Sequence, residues 1–210
     1  MKKLISHMQS LLAATDGAES FASAFADATV PDITITGQSH ATAFAGETVW
    51  GDQAATATRA LANLVQERDC LDWQIPYGDD PMSGRNFAER SAFCMIAGPG
   101  APVEHSSIAG GFFVVGTDVE YNDHQHGPVE LYLPLSGTAR YWSEGHGWQT
   151  ARPGQAMVHR AWEWHALQTR DQPILILWMW HLIDGEMGPM PLLSNRHGGT
   201  VIGATPDGST

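Results

Sequence analysis

Four side chains in one short stretch, His124, His126, Glu130 and Tyr132, are of the types that hold a metal ion or work beside one. His124 and His126 are two residues apart, so on an extended strand they point to the same side. Glu130 and Tyr132 share a side for the same reason. Gly127-Pro128 lies between the two pairs and supplies a bend. Two imidazoles and a carboxylate are ligands that suit zinc, iron, manganese, nickel or cobalt, and the spacing does not choose among them. A fourth ligand is available downstream, where Gly154 precedes a short apolar run and His165 opens the next.

Such side chains need rigid strands to hold them, and the chain supplies strands only in its second part. From about Phe87, short apolar runs alternate with turn residues, the texture of an all-β sandwich or barrel. Strands are expected near 91–97, 111–116, 129–135, 138–142, 156–158, 165–169 and 173–182. The last run, PILILWMWHL, is almost wholly apolar, as in a strand covered on both faces. Before the barrel, residues 3–14 and 18–28 carry apolar residues at helical spacing, and a third helix is expected from about Gln53 to Gln66. The expected architecture is one domain: a helical extension over 1–86, a β-barrel over 87–183, and a loose tail over 184–210.

Composition narrows the function classes. At 210 residues the chain can bury one sizeable core. A net charge of -12 argues against nucleic acid and against an anionic membrane surface. It leaves room for a small anionic substrate, because a bound metal outweighs distant charge. Cys70 and Cys94 form neither a ligand spacing nor a disulfide framework. Met1-Lys2-Lys3 imitates a secretory leader, but polar residues interrupt the apolar run, so an amphipathic helix and a cytoplasmic protein are expected.

The two histidine-bearing stretches resemble the two cupin motifs. His124, His126, Glu130 and Gly137 fit H-x-H-x(3)-E-x(6)-G, and Gly154 and His165 fit G-x(5)-P-x(4)-H, with Arg160 where the family usually has proline. The resemblance implies a mainly β fold, a double-stranded β-helix or jelly-roll barrel. In it His124, His126, Glu130 and His165 hold one divalent transition metal. A tyrosine two residues after the glutamate, inside the run Glu130 to Trp142, together with Tyr121, looks like the cupin-type dimethylsulfoniopropionate lyases. That narrower resemblance implies β-elimination to dimethyl sulfide and acrylate, with Tyr132 as general base and Tyr121 entering the site beside it.

A sulfonium substrate is a cation without hydrogen-bond donors, which aromatic faces can hold. Trp142, Trp162, Trp164, Trp178 and Trp180 are the candidates for such a lining. His159 has the parity of His165 and is expected at the surface or behind the ligands. Asp123 and Glu163 flank ligands and can orient an imidazole. The same ligand set also serves an iron dioxygenase, an isomerase or a ligand-binding barrel. The partner implied is a small molecule, with a homodimer as an open possibility.

Overall fold

The computed structural model describes residues 1–29, 56–66, 71–78 and 80–195. Three helices come first: α1 (Lys2–Ala13), α2 (Glu19–Phe25) and α3 (Thr56–Gln66). Each buries one stripe, Leu4, Ile5, Met8, Leu11 and Leu12 on α1 and Phe21 and Phe25 on α2, as spacings of three and four residues require. The stretch that imitates a leader is therefore an integral part of the core. Residues 53–55 of the expected third helix, Cys70, and residues 196–210 of the tail lie outside the described residues.

A short helix α4 (Phe87–Arg90) leads into ten strands: β1 (Ser91–Ala97), β2 (Ile108–Val115), β3 (Glu120–Gln125), β4 (Val129–Gly137), β5 (Ala139–Ser143), β6 (Gly147–Ala151), β7 (Met157–His159), β8 (His165–Gln168), β9 (Ile174–His181) and β10 (Leu192–Ser194). They form two five-stranded sheets, in the orders β1-β2-β9-β4-β7 and β10-β3-β8-β5-β6. Every pairing between these strands is antiparallel.

The period of two along a strand decides which side chains see the site. On β4, Leu131, Leu133 and Leu135 join the apolar cluster made with the helices, while Tyr132 joins a second cluster between the sheets. On β9, Leu175, Leu177 and Met179 face the helices, and Ile174, Ile176 and Trp178 face inward. Because helices cover its outer face, this sheet carries apolar side chains on both sides. The second sheet has no such cover at β6, whose middle residues are exposed.

Three strands depart from the expected pattern. β3 reads EYNDHQ, without apolar alternation, because its polar side chains serve the site. It ends at Gln125, so His126 sits one residue beyond the strand in the turn to β4. β6 is an exposed edge with no hydrophobic signature. The tail is not loose over 184–195: β10 pairs with β3, Leu193 opposite His124. Among the described residues no helix is long and apolar enough to cross a membrane.

Candidate metal centre and cleft

The second sheet delivers two imidazoles as a register pair, His124 on β3 directly opposite His165 at the start of β8. The first sheet delivers Glu130 on β4, flanked in register by His159 on β7 and Trp180 on β9. The β3–β4 turn adds His126 from above. All of these except Trp180 are buried, Glu130 to 3 % exposure. The ligand atoms of His124, Glu130 and His165 lie within 4.8 Å of one another.

Three of the rings are tied to main-chain carbonyls two residues away. Nδ1 of His124 lies 2.9 Å from the Asn122 oxygen, Nδ1 of His126 3.0 Å from that of Pro128, and Nδ1 of His165 2.9 Å from that of Glu163. A carbonyl only accepts, so each Nδ1 carries the hydrogen and each Nε2 is left to face the centre. The carboxylate of Glu163 instead accepts from the Arg160 backbone N–H.

The consequence at Glu130 is a chemical test of metal binding. Nε2 of His126 and Nε2 of His165 each lie 3.1 Å from the same oxygen, Oε2. In the neutral rings both present lone pairs, and a lone pair facing a carboxylate oxygen is repulsive unless a cation lies between. Nε2 of His124 is buried without a hydrogen-bond partner. A buried carboxylate also costs several kcal/mol unless positive charge compensates it. The donor set of imidazole nitrogens and one carboxylate oxygen therefore fits a divalent transition metal.

The electrostatics agree. Burial pushes the His124 imidazole well below its usual range, helped by His165, so it is neutral and free to donate a lone pair at pH 7. Burial alone would raise the Glu130 carboxyl, but positive charge on the His126 side and hydrogen bonds from the rings around its oxygens hold it well below the carboxylate range; where the rings are neutral, a bound cation has to supply that charge. Burial first, and the Glu130 charge second, push the Tyr132 phenol well above its ordinary value. Tyr121 is raised by burial and by Tyr77. Without added positive charge both tyrosines are neutral phenols.

Beside this centre opens a cleft of about 220 Å³, partly open to solvent. Its aromatic walls are Tyr77, Phe93, Phe113, Tyr121, Tyr132, Trp178 and Trp180, with Glu130 at its inner end. Pro76 and Tyr77 from the segment before the barrel and residues 187–191 from the segment after it complete the rim. The ring of Tyr121 stacks on His124 at 3.8 Å, and its hydroxyl shares a hydrogen bond of 2.6 Å with that of Tyr77. Tyr132 meets His159 and His165 edge-on.

Of the five tryptophans considered for the lining, Trp178 and Trp180 reach the cleft and Trp142, Trp162 and Trp164 do not. Trp162 has a positive φ in the turn before β8 and is 47 % exposed. Strand parity does not extend through such a turn. Trp180 also donates its indole N–H to Glu130 Oε1 at 2.6 Å and lies on the ring of His126. Tyr77 sits in a stretch readable only as a loop, and nothing in its spacing marks it. Phe113 was accessible in principle, because it alternates with Phe112 across β2.

A family model described as dimethylsulfoniopropionate lyase matches residues 40–176. The dimethylsulfoniopropionate lyase DddQ of Ruegeria pomeroyi is 29 % identical over 148 residues, 70 % of this chain and 72 % of that protein. A putative dimethylsulfoniopropionate lyase, DddL, of Cereibacter sphaeroides is 29 % identical over 125 residues, 59 % of this chain and 50 % of that one. The crystal structure of DddQ from Ruegeria pomeroyi superposes with a TM-score of 0.77 at 24 % identity, covering 94 % of this chain and 97 % of that one. The structural likeness establishes the shared fold. With the family model spanning more than half of its length, the chain belongs to the dimethylsulfoniopropionate lyase family.

Proposed function

We propose that the chain is a metal-dependent carbon–sulfur lyase that cleaves dimethylsulfoniopropionate to dimethyl sulfide and acrylate, with His124, His126, Glu130 and His165 as ligands and Tyr132 as general base. One observation carries the assignment of roles: Tyr132 and Glu130 lie on the same inward face of β4, so the phenol borders both the ligand cluster and the aromatic cleft. When bound, a divalent cation of the zinc, iron, manganese, nickel or cobalt type supplies Lewis acidity for the substrate carboxylate and positive charge that favours the Tyr132 phenolate.

The chain's own groups then account for the rest. The Tyr132 phenolate oxygen takes the proton from the carbon next to the substrate carboxylate. The electron pair of that C–H bond becomes the second bond to the neighbouring carbon. The C–S bond breaks, and its pair leaves with dimethyl sulfide. The sulfonium is held before that step against aromatic faces, for which Tyr77, Phe93, Phe113 and Trp178 are the available walls. Both that cation and the apolar dimethyl sulfide suit a lining with few hydrogen-bonding groups. Tyr121, stacked on His124, offers its hydroxyl at the same end. The proposal includes a cytoplasmic location and a small-molecule substrate as partner.

Incubating metal-loaded protein with dimethylsulfoniopropionate, and measuring headspace dimethyl sulfide with acrylate in solution, tests the reading. Equal amounts of both products, abolished by a chelator and restored by a divalent metal, are expected. Absence of both products from a metal-loaded sample overturns it.

A further inference from the structure

We propose that His159 is a positioning residue that orients Glu130 toward the metal without itself binding the ion; the inference rests on the metal-centre reading above. His159 lies opposite Glu130 in the β7–β4 register, is completely buried, and places Nδ1 3.0 Å from Glu130 Oε2. It differs from the three candidate histidine ligands in one respect. Their Nδ1 atoms are spent on main-chain carbonyls and their Nε2 atoms face the centre. In His159 it is Nδ1 that faces the carboxylate, while Nε2 is buried without a hydrogen-bond partner. An ionised carboxylate only accepts, so the hydrogen sits on Nδ1, which spends that nitrogen as a donor and leaves it no lone pair for a metal.

Packing holds the ring in this orientation. It lies nearly flat on His165, with ring centres 3.9 Å apart and planes 18° from parallel, and has Tyr141 at 5.1 Å. Trp180 meanwhile donates to the other oxygen, Oε1. The two donors come from β7 and β9, the strands on either side of β4. Each carboxylate oxygen is thereby tied to a neighbouring strand, and rotation of the Glu130 head group would break both bonds. Oε2 keeps capacity for one more partner, on the side where His126 and His165 converge. A carboxylate held in this way offers the ion one fixed oxygen instead of swinging into two-oxygen chelation.

Two substitutions separate the nitrogens. An asparagine amide N–H takes the place of Nδ1–H, whereas a glutamine amide reaches the place of Nε2. Cobalt(II) serves as the probe, with affinity measured by chelator competition and ligand set read from its visible absorption. His159→Asn is expected to stay within about threefold of the parent affinity, and His159→Gln to lose about 10- to 100-fold, both with the parent's absorption band positions. Equal affinities in the two variants overturn the inference, as does a band shift in both that signals loss of a nitrogen ligand. A parent protein that takes up no cobalt overturns the metal-centre reading itself, so the two failures are distinguishable. Melting of the chelated proteins checks that both variants fold; where either does not, His159→Phe, which has no donor, is compared with the parent instead, a loss of about 10- to 100-fold with unchanged band positions being expected and an unchanged affinity overturning the inference.

Discussion

Tyr77 and Tyr121, 44 residues apart in the chain, share a hydrogen bond of 2.6 Å between their hydroxyls. The contact joins a segment outside the barrel to a ring that stacks on His124. Tyr77 holds a φ of 59°, a left-handed backbone that a bulky side chain seldom adopts. Strain of this kind persists where tertiary contacts impose it, and it clusters at functional sites. Tyr77→Phe keeps the wall and removes the bond. KM for the sulfonium substrate is expected to rise up to about tenfold, the effect of about 1.4 kcal/mol, with bound metal unchanged. Steady-state kinetics alongside elemental analysis check this; an unaltered KM would show that the pair is only a packing contact.

Tyr132→Phe removes the proposed base without changing the ring. A loss of about 10²- to 10⁴-fold in kcat is expected, the usual worth of a positioned general base, with metal content and KM little changed. Retention of full turnover would transfer the proton abstraction to another group.

Gly137 closes β4 with a φ of 73°, and a side-chain carbon there would run into the carbonyl oxygen of Pro173. Gly137→Ala therefore combines backbone strain with a backbone clash at the end of two central strands. A destabilisation of about 3 kcal/mol or more is expected, read as a lowered melting temperature or denaturant midpoint. The mutant's metal affinity per folded molecule should be unchanged, because no ligand is displaced.

Acid should weaken the metal-free protein. Burial pushes His124 well below the ordinary imidazole value and His159 down to about 4. In the unfolded chain histidines titrate near about 6.5. Between those values the unfolded state takes up protons that the folded state refuses, so stability is full above about 6.5 and falls as the pH drops toward about 4. Melting temperatures recorded with chelator from pH 7.5 to 4.5 should decline; a flat profile contradicts the burial argument. With metal bound the decline should be steeper, since ligands must shed protons to hold it.

How much of this was legible depends on whether a residue's place follows from its own strand. The inward pair Glu130 and Tyr132 and the two-sided burial of β9 follow from period two and an apolar run. The convergence of His124, His126, Glu130 and His165 was readable from spacing and motif. β3 was not, because a strand whose polar residues line a site loses the alternation that announces strands. The grouping of Trp162 and Trp164 with the lining failed where a left-handed turn residue interrupts parity. Tyr77 and residues 187–191 were beyond reach for a different reason: their place in the rim is set by contacts made across the fold.

The candidate ligands are confined to β3, the following turn, β4 and the start of β8, whereas the mouth is furnished by chain lying before β1 and after β9. The candidate ligands and the rim thus come from separate stretches of sequence, while the aromatic walls between them lie on the barrel strands. Substitutions at the two flanks are therefore expected to alter entry to the cleft while the ligand-bearing strands stay as they are.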